Sequence, residues 1–194
     1  MPITGDLTPL KPSRYVNSST WSFPVEVYEI DMVRAYHQFL PSNFNATEIF
    51  AYAGKVNGQI VASYPGPTLS VLENVPIYVI YTNNIQGSHL FPLDTAPPFN
   101  MTIDYQDKVC TVPHAHGLEL EEGPDGQPMG CWTESGYRGS EFYSLNSQNL
   151  NANQAMYRYY NTKEGLYWYH DHAMAITRLN VYAGLVGFYE IIDA

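Results

Sequence analysis

Apolar and polar residues alternate over Val25-Glu26-Val27-Tyr28-Glu29-Ile30-Asp31-Met32, placing Val25 and Val27 on one face and the charge of Glu26 on the other. That period of two predicts a half-buried strand, less strict in register after Ile30. Shorter runs of the same kind predict strands at Glu48–Ala53, at Thr68–Leu72 after the rigid Tyr64-Pro65-Gly66-Pro67 turn, and at Pro76–Tyr81, a β-branched and aromatic segment. Asn83-Asn84 ends that run, and an irregular stretch follows to about residue 108. Val109–His114 is a short strand feeding a loop that starts at Gly117, and Gly123-Pro124-Asp125-Gly126 marks a turn inside the loop-rich residues 118–154. Ala155–Tyr160, Leu166–Tyr169 and Gly184–Ile192 complete the strands, and Ala173–Tyr182 carries helix formers. About eight short strands with turns between them, and one short helix, predict an all-β fold: a sandwich or barrel connected in the Greek-key manner.

Residues 1–24 are rich in Pro, Ser and Thr and read as an extended N-terminal arm, leaving 25–194 as a single domain. The 194 residues suffice for a buried core, and a hydrophobic content of 45% excludes a disordered chain. Charged residues make up 14%, against about 25% in ordinary soluble domains, and 17 tyrosines fill part of that gap. The net charge of −10, with no basic run, argues against nucleic acid and anionic membrane surfaces as partners.

No stretch approaches the roughly 18 apolar residues of a membrane span. The start, Met1-Pro2-Ile3-Thr4-Gly5-Asp6, lacks the basic and apolar regions of a signal peptide, which leaves a cytosolic chain or a form whose signal has been removed. Asn17-Ser18-Ser19, Asn45-Ala46-Thr47 and Asn100-Met101-Thr102 fit the N-glycosylation pattern, and with few lysines and two cysteines they favour a secreted or extracellular chain. Cys110 and Cys131 are either one disulfide or two separate buried thiols; both readings stay open on sequence.

Four of the six histidines form two His-x-His pairs, His114/His116 and His170/His172. Composition alone predicts only about 0.2 such pairs per chain. On an extended backbone, residues i and i+2 share a face about 7 Å apart, too wide for easy chelation of one ion but suited to two neighbouring metals. Imidazole is a preferred ligand of copper and zinc, whereas magnesium and calcium take oxygen. His37 and His89 stand alone and read as ordinary packed or hydrogen-bonded side chains.

Around these pairs the chain resembles a known family. The run Tyr167-Trp168-Tyr169-His170-Asp171-His172-Ala173-Met174-Ala175-Ile176-Thr177-Arg178-Leu179-Asn180-Val181-Tyr182-Ala183-Gly184-Leu185 is similar to the second copper motif of the multicopper oxidases, in the branch of bacterial spore-coat laccases and bilirubin-oxidising enzymes. His114-Ala115-His116-Gly117 resembles the first motif and Tyr64-Pro65-Gly66-Pro67-Thr68 an early turn, so the resemblance runs from about Val25 onward. It implies a cupredoxin fold, a Greek-key β-sandwich forming the N-terminal domain of such an oxidase. It further implies that His114 binds a type 2 copper, that His116, His170 and His172 bind a type 3 copper pair, and that Asp125 of Asp125-Gly126-Gln127-Pro128 assists proton delivery. Asp125 reads equally as a turn former. Leu118 departs from the branch, which often carries a second Gly there; this touches loop shape and not ligation.

The family's trinuclear cluster takes twice as many histidines as these two pairs supply, the other half coming from a C-terminal domain. Its type 1 copper needs a Cys flanked by His, and neither Cys110 nor Cys131 has a histidine neighbour. The resemblance therefore implies half of a copper site, completed by a C-terminal cupredoxin domain or another subunit, at which O2 is reduced to water. A non-catalytic cupredoxin module of an extracellular coat or filament is the alternative, and a stand-alone copper or zinc binder the third reading. The intact ligand set favours the first.

Overall fold

The computed structural model describes residues 9–56, 59–94, 96, 107–145 and 149–193. Two β-sheets pack face to face. The first is built from β1 (Arg14–Val16), β2 (Val25–His37), β3 (Thr47–Val56), β4 (Gln59–Ala62) and β6 (Ile77–Asn83), with β8 (Gln154–Tyr159) at one edge, in the order β4-β3-β2-β6-β8, β1 pairing with the start of β2. The second, in the order β5-β10-β9-β7, joins β5 (Gly66–Leu72), β10 (Val186–Ile192), β9 (Gly165–Asp171) and β7 (Pro113–His116). β2 runs parallel to β6 and β10 parallel to β5; the other pairs are antiparallel. One short helix, α1 (Thr177–Ala183), lies between β9 and β10.

The alternation in β2 holds, but the residues of β2 in the main core are the even ones, Tyr28, Ile30 and Met32. Val25 and Val27 are buried as well, so both faces of this strand are covered and the odd positions are not the sole apolar stripe. β1 and β4 went unpredicted, being short and, in β1, partly polar. Leu10 is buried in the core and the Ser13 amide donates to the Val27 carbonyl, so this part of the N-terminal segment lies along the sandwich.

Among the described residues, seven of the 17 tyrosines lie in the interior. Tyr28, Tyr52, Tyr81, Tyr157, Tyr159, Tyr169 and Tyr189 are all buried; Tyr52 packs on Tyr169, and Tyr157 on Tyr81, Tyr159 and Trp132, with Tyr189 on Tyr159. Burial drives their hydroxyls well above the ordinary tyrosine range, so they stay neutral. Several find partners, as where Tyr189 donates to Asn161 Oδ1 and Tyr169 to the Pro67 carbonyl.

The expected strand at Val109–His114 begins later, at Pro113. Upstream of it, the Asn83 amide donates to the Val109 carbonyl and to Thr111 Oγ1, replacing ladder bonds with side-chain ones. Thr111 makes only an isolated bridge to Trp132. Beside that bridge Cys110 and Cys131 form a disulfide, with Cα atoms 5.5 Å apart. The helix also begins later than predicted, because Ala173–Ile176 forms a turn in which Ala175 takes φ 67°.

Candidate metal centre

On β7, Pro113 and Ala115 point into the core, leaving His114 and His116 on the outer face. On β9, Tyr169 and Asp171 are buried inward, and Trp168 and His170 share the outer face. The antiparallel register sets His114 opposite His170 and His116 opposite Trp168. His172 follows just past the end of β9, held by its amide donating to the Val112 carbonyl at 2.8 Å. Two pairs remote in sequence thus meet on one sheet face.

The ring centroids of His114 lie 5.4 Å from His116, 5.3 Å from His170 and 4.8 Å from His172, and His116 and His170 are 5.4 Å apart. Trp168 stacks on His170 at 4.2 Å and on His116 at 5.1 Å, fixing both ring planes. Ligand atoms of His114, His116 and His170 all lie within 4.8 Å of one another.

Ring protonation is set by the neighbours. His114 Nδ1 lies 2.6 Å from the Asp125 carbonyl and His170 Nδ1 2.6 Å from the Asp171 carbonyl. A carbonyl only accepts, so each Nδ1 carries the hydrogen and each neutral ring keeps its lone pair on Nε2. His170 Nε2 and His116 Nδ1 approach to 3.1 Å. His172 Nδ1 is buried and has no hydrogen-bond partner among the described residues. Oriented lone pairs, an unpartnered buried ring nitrogen and an all-imidazole donor set fit a copper ion well.

Burial lowers the His170 pKa to about 4, aided by the three other histidines and opposed by the Asp171 carbonyl. Burial lowers His172 too, with His114 next in effect and Asp125 opposing. Both rings are therefore held neutral, the state a metal requires. Between pH 6.5 and about 4 the unfolded chain protonates at position 170 and the folded chain does not, so His170 makes stability fall with acidification. Replacing His170 with Gln is expected to remove roughly 3 kcal/mol of that decline. Asp171, raised to about 7 by burial, acts with the opposite sign in this window but is common to both chains. Melting curves of the metal-free wild-type and His170→Gln chains across this range check it; parallel slopes would rule out the neutral ring.

Asp125 sits where its turn puts it. The Gly126 amide closes the turn onto the Gly123 carbonyl, and Gly126 has φ 78° with its Cα against the Pro113 carbonyl, where a side chain would collide. This brings the Asp125 carboxylate 3.3 Å from His114 Nδ1, partly open to solvent. His37 lies elsewhere, packed against Phe39 and Tyr64. His89 is hydrogen-bonded to Asn180. Sequence reasoning passed over Trp168, Asp171 and Asn180; the one available signal was an acid at the inward position of a strand, at Asp171.

Two packed β-sheets with parallel pairs β2/β6 and β5/β10 and one short helix define a cupredoxin-like domain. No family model matches the chain. The chain is 33% identical to a laccase of Bacillus subtilis over 185 residues, covering 95% of this chain and 31% of that protein. It is 36% identical to a laccase of Haloferax volcanii over 177 residues, 86% of this chain and 27% of the relative, and 34% identical to a multicopper oxidase of Arabidopsis thaliana over 79% of this chain and 24% of the relative. Solved multicopper oxidases from Pediococcus acidilactici (TM-score 0.60, 18% identity, 100% of this chain and 32% of that one) and Campylobacter jejuni (TM-score 0.59, 18% identity, 99% and 30%) share the fold. The chain is a cupredoxin-like domain of the multicopper oxidase family, and it spans about three-tenths of the length of these two laccases. Membership implies copper as the metal. No helix among the described residues is long and apolar enough to cross a membrane.

Proposed function

We propose that this domain supplies half of a trinuclear copper site in a laccase-like oxidase, with His114 on the type 2 copper and His116, His170 and His172 on the type 3 pair. The observation that carries this reading is the convergence of four imidazoles on an outer sheet face that is open and largely apolar, with Ser70 donating to Glu190 among its exposed apolar side chains. Leu166 is 74% exposed, and Phe188, Leu72 and Ile192 are exposed on the same sheet. Such a face suits burial under a C-terminal cupredoxin domain or another subunit bringing the remaining ligands.

Copper bound across that junction would supply the redox chemistry by which O2 is reduced to water, with electrons entering through the partner. This chain's residues orient and prepare the site. Carbonyls of Asp125 and Asp171 hold two imidazoles with Nε2 outward, Trp168 fixes two ring planes, and burial keeps His170 and His172 unprotonated. Asp125, beside His114 and partly solvated, is placed to pass protons from water to the site.

The Cys110–Cys131 disulfide supports an oxidising, extracytoplasmic setting. Asn17 and Asn45 are exposed as glycosylation would require, and Asn100 lies outside the described residues. Nothing favours the non-catalytic coat module. Copper content and oxygen uptake with a phenolic dye test the reading. The chain alone is expected to be inactive, and the chain joined to a completing domain to bind about four coppers and turn over. Failure of the joined assembly to take up copper would overturn it.

A further inference from the structure

Beneath the histidine face lies a polar relay that the site as described does not use. Asp171 is fully buried, inward between two outward histidines. Its Oδ2 accepts from the Val112 amide at 2.8 Å, and its Oδ1 from the Ala173 amide at 3.0 Å and Asn180 Nδ2 at 2.8 Å. Val112 precedes His114 by two residues, and Ala173 follows His172 directly. One carboxylate therefore ties together the backbone segments that carry both histidine pairs.

Asn180, on α1 and fully buried, also donates to the Cys110 carbonyl at 3.0 Å. Its Oδ1 lies 3.0 Å from His89 Nε2. His89 Nδ1 accepts from the Phe91 amide at 2.9 Å, so the ring hydrogen is on Nε2 and is donated to Asn180. This leaves one orientation for the Asn180 amide: oxygen toward His89, nitrogen toward Asp171 and Cys110. The His89 ring is in turn packed against Phe50 and Phe91. An apolar side chain at position 171 would fill space but fix no direction; a carboxylate with three directional bonds sets the relative placement of three segments.

We propose that Asp171, Asn180 and His89 are positioning residues that set the separation and ring orientation of the two histidine pairs, with His89 acting on the histidines through Asn180 and Asp171. This rests on the four histidines being the copper ligands, and the test separates the two ideas. His89→Phe keeps an aromatic ring among Phe50 and Phe91 but removes the donor; His89→Gln restores an N–H at similar reach.

In the metal-free chain, the ring nitrogen and proton resonances of His170 and His172 are expected to shift in His89→Phe while those of His37 stay, and His89→Gln to return them. Titrated with Cu(II), His89→Phe is expected to bind roughly 10–100-fold more weakly than wild type and His89→Gln near wild type. Should His89→Phe not fold, Asn180→Ser reads out the same link. Imidazole resonances and Cu(II) affinity unchanged in the folded variant would overturn the proposal. Shifted resonances in a chain whose wild type takes up no Cu(II) would uphold the positioning role and sink the copper assignment.

Discussion

Replacing both His170 and His172 with Ala is expected to lower the Cu(II) affinity of the chain at least about 100-fold, and to lower the copper content of the joined assembly. Losing residues that merely support metal ligands costs roughly 10–100-fold, so losing two ligands costs at least the upper end of that range. The fold is expected to survive. His172 is only partly buried, both side chains point away from the core, and the inward Tyr169 and Asp171 that hold β9 are untouched. Circular dichroism checks the fold, metal analysis and electron paramagnetic resonance the copper. His37→Ala, at a ring packed against Phe39 and Tyr64, is expected to leave copper unchanged. Copper content unaltered by the double replacement would remove these histidines from the ligand set.

The two histidine pairs were legible because a strand has a period of two: residues i and i+2 share a face whatever the sheet does. What spacing alone could not tell is which strands lie side by side. The His114–His170 register depends on β7 pairing with β9 across a stretch of loops. For the same reason Asn180 and His89 were invisible as partners of Asp171, since packing of α1 brings them together from remote segments. β2 shows a different limit. Its charges fall on both faces, Glu26 on one and Glu29 and Asp31 on the other, and both faces bury apolar residues, because a long strand in a sandwich meets different neighbours along its length. The exposed apolar side chains of the second sheet, Leu166, Phe188, Leu72 and Ile192, come from three strands that spacing alone does not bring together.

Removing the Cys110–Cys131 disulfide, as Cys110→Ser with Cys131→Ser, is expected to destabilise the metal-free chain by about 3 kcal/mol, the loop-closure entropy for its separation of 21 residues. Both sulfurs are buried, so two hydroxyls left without good partners would add to the loss. The closed loop carries His114, His116 and Asp125, and so the effect extends from stability to the site. Its base is held on one side by the disulfide and on the other by the paired amides and carbonyls of Thr111 and Trp132, each 3.0 Å apart. The Cys110 carbonyl also accepts from Asn180, so loosening Cys110 disturbs the anchor beneath Asp171. Denaturant melts of the double variant are expected to show a lower midpoint with weakened Cu(II) binding even where the chain is still folded. A variant that loses stability but keeps wild-type copper affinity would mean that β7 pairing with β9 alone holds the first histidine pair in place.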